Sequence, residues 1–278
     1  MADLKIQGAT PVAGKLKLGS SDVSKIYSGP TLVWPSGCYE FANKVELQTA
    51  VALWISDEAQ AIATYGQINT WCTGNITDMT YLFSSKTTFN SDISAWDVSN
   101  VTTMQGMFTA ASSFNKDLNS WDVSNVTNID QMFNLASSFN GNISSWDVSN
   151  VVSMSFLFKD SPFNQDISSW DVSSVTSMVS MFSSAGSFNI DISNWDVSSV
   201  ISMSSMFGPS FDAPATTSIF NKDVSSWDVS SVTNMGSMFR NAVNFNQDLS
   251  GWDVNNVTVY GGFDLGATSW ILPKPNFI

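Results

Sequence analysis

A block of 25 residues recurs along most of this chain, reading F-N-x-D-[I/L/V]-S-x-W-D-V-S-x-V-x-x-M-x-x-M-F before a short tail of small residues. Copies start at Phe89, Phe114, Phe139, Phe163, Phe188, Phe220 and Phe245. Their tryptophans, Trp96, Trp121, Trp146, Trp170, Trp195, Trp227 and Trp252, are spaced 25, 25, 24, 25, 32 and 25 residues apart. A fixed period of this length predicts stacked coils, each burying its apolar face only against its neighbours. Such architectures present surfaces, so binding or structural roles come before catalysis.

Within one unit, Phe89, Ile93, Trp96 and Val98 read as an extended stretch. Val101, Met104, Met107, Phe108 and Ala111 then follow a helical rhythm, with Ser99 or Asn100 as the cap. The predicted fold is therefore an α/β repeat solenoid with a parallel strand layer on one side and short helices on the other. Ahead of it, residues 43–65 read as a helical cap, with Asn43 and Glu46 in capping-box positions and a break near Ser56-Asp57. Residues 1–37 alternate polar and apolar between glycines, which predicts a small β-rich arm. The resulting division is 1–37 attachment arm, 38–67 helical cap, 68–257 repeat solenoid and 258–278 C-terminal cap. Trp71 keeps register with Trp96, so a degenerate first coil begins there.

The net charge is −13, and the arm, with four lysines against two aspartates, takes no part in that excess. An acidic stack repels phosphate backbones and anionic lipid, which argues against nucleic-acid partners. No apolar run is long enough for a membrane span, so membrane insertion is not expected. The start of the chain lacks a secretory signal pattern. There is no histidine, which removes the commonest general base and metal ligand. Cys38 and Cys72 could pair, but two buried free thiols is the plainer reading of their spacing.

Two aspartate columns offer the nearest thing to chemistry. One is Asp92, Asp117, Asp166, Asp191, Asp223 and Asp248; the other is Asp97, Asp122, Asp147, Asp171, Asp196, Asp228 and Asp253. Carboxylates stacked at coil spacing need amide donors or a bridging cation, so turn capping and Ca²⁺ or Mg²⁺ binding along the second column are both readings. No cofactor is otherwise implied. The asparagine after each phenylalanine, from Asn90 to Asn246, reads as an inward amide ladder. The 32-residue interval inserts a loop whose Phe211, Asp212, Thr216 and Thr217 are candidate binding residues. No carboxylate pair stands apart as an acid and base, so catalytic residues are not assigned and an enzyme is not expected.

The W-D-V-S-x-V-T-x-M-x-x-M-F-x-x-A-x-x-F-N-x-D-[I/L]-S pattern resembles the BspA-like leucine-rich repeat surface proteins, in the mycoplasma-type branch of unknown function. That resemblance covers about residues 68–263 and implies a leucine-rich-repeat-like fold with roles in surface attachment or recognition. Lys15-Leu16-Lys17-Leu18-Gly19 with Thr31-Leu32-Val33-Trp34-Pro35 resembles leader modules on structural proteins of tailed phages. The two together imply a virion-associated protein, a tail fibre, receptor-binding or capsid decoration component. Residues 1–37 would contact other virion proteins, and the stack would contact a host-surface protein or glycan. The alternative is a cell-surface adhesin of the BspA-like type, outside the cell. Self-association into a homo-oligomer is open in both.

Overall fold

The computed structural model describes residues 38–209 and 217–277, together with the backbone of five short strands in the N-terminal arm. Those strands are β1 (Ala9–Val12), β2 (Lys15–Leu18), β3 (Ser21–Val23), β4 (Ile26–Ser28) and β5 (Thr31–Trp34). β1, β2 and β3 form an antiparallel meander with Ala9 opposite Leu18 and Leu16 opposite Val23, and β4 pairs with β5.

Two helices follow. The carbonyl oxygen of the Asn43 side chain accepts the Glu46 amide at the start of α1 (Lys44–Ser56). Glu46 reaches back to the Ala42 amide, one residue beyond the cap amide that the usual reciprocal bond takes. Asp57 ends α1 and caps α2 (Glu58–Tyr65). α1 buries Leu47, Ala50, Val51 and Trp54 against the first coil. Its Lys44 ammonium sits 2.9 Å from the Asp78 carboxylate, and the Trp54 indole donates to the Ser91 hydroxyl. Residues 39–41 form a rung on that coil, through Cys72 N–H to Tyr39 C=O and Phe41 N–H to Cys72 C=O. Cys38 and Cys72 are disulfide-bonded across this junction, with Cα atoms 5.4 Å apart. The reading as free thiols is thus corrected: Cys72 is brought beside Cys38 because it occupies the rung that residues 39–41 pair with.

The repeats stack in register, but the α/β parallel-strand solenoid with a layer of short helices is overturned. Among the described residues from Trp71 onward there is no helix and no strand, only turns and isolated parallel bridges such as Thr103–Asn128 and Asn128–Ser153. The reason lies in the core. Phe83, Phe108, Phe133, Phe158, Phe182 and Phe207 stack face to face with centroids 5.2–5.9 Å apart. A second column, Phe89, Phe114 and Phe139, repeats at 5.7 and 6.0 Å. Adjacent helix axes need about 8–10 Å, so one helix per coil cannot keep pace with rings at this spacing.

The segment with helical rhythm instead folds as a ribbon of overlapping turns. Met107, Thr109 and Ala111 donate their amides three residues back, to Met104, Gly106 and Phe108. The alternate amides of Met104, Gly106, Phe108 and Ala110 donate forward to carbonyls of Asn128, Asp130, Met132 and Asn134 in the next coil. Sending alternate amides outward requires a left-handed residue at regular points. Gly106 (φ 60°) and Ala110 (φ 56°) supply it here, as do Gln131 and Leu135 (both 59°) in the following coil. A Cβ at Gly106 would also stand 2.0 Å from the Tyr81 ring, which lies across it.

The other half of each coil turns too often for a backbone ladder. Phe89, Trp96 and Val101 close turns three residues back. Side chains carry the stacking bonds there, and these are described below. Apart from the partly exposed Phe156, the phenylalanines, tryptophans and methionines of the described repeats are buried in one continuous core.

Candidate functional site

The surface that the repeats present is set by their turns. In the second aspartate column, Asp122 Oδ1 accepts the Ser124 amide at 3.1 Å and its hydroxyl at 2.6 Å. Asp97, Asp147, Asp171 and Asp196 hold Ser99, Ser149, Ser173 and Ser198 in the same way. Asp228 caps Ser230 and Asp253 caps Asn255 through their amides. In the first column, Asp92, Asp166, Asp191, Asp223 and Asp248 cap the serine two residues on. Asp117 departs from this pattern and accepts the Asn142 amide of the following coil at 2.8 Å.

These bonds favour the ionised carboxylate. The Ser124 hydroxyl, then its amide, holds Asp122 below the ordinary carboxylate range, and Ser173 does the same for Asp171. The Ser94, Ser168 and Ser193 amides lead the same lowering at Asp92, Asp166 and Asp191. Each such aspartate remains exposed. The outcome is two files of fixed negative charge along the stack. Among the described residues, no group of three acidic or cysteine side chains is gathered tightly enough to hold a metal ion.

The asparagine column lies at this surface and is mostly exposed, not turned inward as its position after each phenylalanine suggests. Asn90 Oδ1 accepts the Asn115 amide at 3.0 Å, Asn115 accepts Asn140, and the chain of acceptors continues through Asn164, Asn189 and Asn221 to Asn246. A second file, Asn100, Asn125 and Asn150, donates Nδ2 to backbone carbonyls of Gly74, Ser99 and Ser124 in the preceding coil. The tryptophans are buried, and each indole N–H reaches the preceding coil, as in Trp146 to Leu118 C=O at 2.8 Å. Their faces are therefore withdrawn from any sugar.

Of the insertion residues proposed for binding, Thr217 is exposed, while Phe211, Asp212 and Thr216 lie outside the described residues. A shallow cavity of about 270 Å³ opens at the junction of cap and first coil, lined by Glu40, Cys72, Gly74 and Asp97 among others. The sequence carried no signal for it, because Glu40 reaches it only through the rung at Cys72.

The family described as "Mycoplasma protein of unknown function, DUF285" matches residues 55–162, 145–214 and 214–269. The chain belongs to this family. The match takes in the second helix and the whole repeat stack of this DUF285 protein, and leaves the five-stranded arm outside. No curated protein and no solved structure matches the chain significantly. No helix among the described residues is long and apolar enough to cross a membrane.

Proposed function

We propose that this DUF285 protein is a non-enzymatic recognition component displayed outside the cell. On this reading its stack presents a repeated acidic edge, and its arm fastens it to a larger particle. One observation carries it: along the second aspartate column every repeat fixes its carboxylate by the same bond from the amide two residues on, so none in that column is set apart as an acid, base or nucleophile. A surface of identical elements at coil spacing suits multivalent contact with a host-surface protein or a glycan. The disulfide between Cys38 and Cys72 accords with an oxidising exterior.

The particle we favour is a tailed-phage virion, on the resemblance of the arm to phage leader modules. The partners of residues 1–37 would then be other virion proteins. Immunogold labelling of a producing culture, with antibody raised against residues 89–260, tests this. Gold on particles supports a virion component, and its position separates capsid decoration from a tail fibre. Gold on the cell envelope with bare particles replaces it with an adhesin of the surface-protein type.

A further inference from the structure

In the ribbon of overlapping turns, the bonds from alternate amides all run to the next coil, whereas those of Thr127 to Thr102 and Val152 to Thr127 beside it run back to the preceding one. The Phe108 amide donates to Met132 C=O, and the N–H of that same peptide unit, on Phe133, donates to Leu157 C=O. The series continues from Phe158 to Met181, Phe182 to Met206, Phe207 to Met238 and Phe239 to Phe263. A parallel file runs from Met79 to Thr103, through Met104, Ile129, Met154, Met178 and Met203, and from Met235 to Val259. Another runs from Tyr81 through Gly106 and Gln131 and ends with Ser237 to Gly261. These are head-to-tail files of peptide dipoles, like those inside a helix but laid across separate coils.

Each file ends in an amide. In the coil that runs to Trp270, the N–H groups of Tyr260, Gly262, Asp264 and Gly266 donate to no described residue. The carbonyls of Val259, Gly261, Phe263 and Leu265 are all taken by the coil before. Between Val259 and Gly266 the backbone of this ledge therefore offers donors only. Val259, Tyr260 and Leu265 are exposed along it, at 49%, 41% and 53%. Beside it, a cavity of about 190 Å³ lies between the ledge and the tail, lined by Tyr260, Asp264, Lys274 and Phe277 among others. The tail seals the core, with the Phe277 ring on those of Tyr260 and Phe263, but none of its described residues takes any of the four amides.

We propose that this ledge is a binding site for an extended peptide segment, which adds one further rung by presenting backbone carbonyls to these amides and placing a side chain in the adjoining cavity. Continuity argues for this occupant, because at every interior junction the amides equivalent to those of Tyr260, Gly262 and Asp264 are met by a ribbon of carbonyls. A second ledge cannot serve, since two rows of donors do not pair. The matching carbonyls of Asp78, Thr80 and Leu82 in a second copy lie at the end covered by α1, which holds another stack beyond backbone reach. A free anion is disfavoured by the Asp264 carboxylate on the ledge, which already holds Lys274 at 2.5 Å. The proposal does not rest on the recognition role of the acidic edge, and particle labelling does not bear on it.

The test is a titration of isotope-labelled protein, followed by amide NMR, with a synthetic peptide of the chain's own ribbon, residues 231–246. Expected are downfield shifts confined to Tyr260, Gly262, Asp264, Gly266 and their neighbours, and none with a scrambled peptide. Gly261→Trp supplies the block. An added Cβ at the equivalent Gly236 approaches Val259 and Gly261 of the next coil, whereas nothing stands within 4 Å of one at Gly261. The side chain thus projects where the new rung would lie, and affinity should fall roughly tenfold or more. Unchanged amide signals from the interior coils report that the variant is folded. Absence of shifts at millimolar peptide overturns the proposal, as do shifts along the acidic edge or binding that survives Gly261→Trp. Shifts of the four amides with inorganic phosphate but not with peptide overturn it in favour of an anion site.

Discussion

Asn246 Oδ1 accepts the amide of Ile271 at 2.9 Å and that of Leu272 at 3.0 Å. In each earlier coil the same oxygen takes the amide of the next asparagine, so the tail is held by the acceptor that would otherwise bind another repeat. Asn246→Ala should release the tail, and hydrogen exchange at Ile271, Leu272 and Leu249 should quicken selectively, Leu249 because it donates to Pro273 C=O. The cost is about 1 kcal/mol of local stability. Uniform quickening over the whole stack would contradict this local role.

Trp146 combines a buried ring with a bond from its indole to Leu118 C=O. Trp146→Phe keeps an aromatic in the column but leaves that carbonyl without its donor. A loss of about 1–3 kcal/mol follows for a buried unsatisfied group, with further loss from the smaller ring. Urea unfolding of the variant measures the sum. A change below about 0.5 kcal/mol would mean that the indole bonds contribute nothing to stacking.

The disulfide closes a loop with a sequence separation of 34 residues. Loop-closure entropy gives it about 3–4 kcal/mol. Cys38→Ser paired with Cys72→Ser should lower the thermal midpoint of the cap and first coil most. Exchange at the Phe41 and Cys72 amides, which carry the adjoining rung, locates the effect.

Two exposed positions with opposite backbone conformations test the origin of the ribbon. Leu135 and Val152 are each 46% exposed, but Leu135 stands at φ 59° and Val152 is not among the left-handed residues. Glycine relieves about 1–2 kcal/mol of left-handed strain at the first site, offset by greater freedom of the unfolded chain. At the second it brings only the unfolded-state penalty, about 0.5–1 kcal/mol. Leu135→Gly should thus be neutral or stabilising and Val152→Gly destabilising, read from paired denaturation curves.

Acid should act through the aspartate turns. Asp92, Asp122, Asp166, Asp171, Asp191, Asp228 and Asp248 have depressed folded values, so they contribute stability above the unfolded carboxylate value, about 3.9. That contribution is lost as pH falls through the lower folded values. The urea midpoint should stay flat from neutral pH to about 5 and decline below about 4. At the alkaline limit Tyr39 works in reverse. Its hydroxyl donates to Glu46, chiefly for which its value is raised to about 12, so its contribution is complete below the unfolded value and fades as pH rises toward that figure. A spectrophotometric titration in which Tyr39 ionises with the exposed tyrosines would contradict this contact.

The core was legible in the sequence because residue type alone dictates burial for Phe, Trp and Met in a fixed period. The ribbon was not. Met104, Met107, Phe108 and Ala111 fall on one face of a helix and equally inside a run of three-residue turns, and the pattern is the same for both. What separates them is the distance between coils, set by rings such as Phe133 and Phe158 at 5.9 Å, and no single repeat contains that quantity. The aspartates allowed turn capping or cation bridging, and the bonds they make are those of capping. The ledge at Tyr260 left no trace, since its character comes from a missing neighbour and not from any residue it contains.

Because every coil bonds to the next through the same atoms, the length of this molecule is separable from its design. Excision of residues 115–139 would bring Phe114 to the chain position before Asn140 and leave each remaining coil facing a partner of the kind it already has. The molecule would shorten by one layer and keep both of its ends. A lineage carrying such a chain can thus lengthen or shorten its reach by recombination between repeats, without remaking its core.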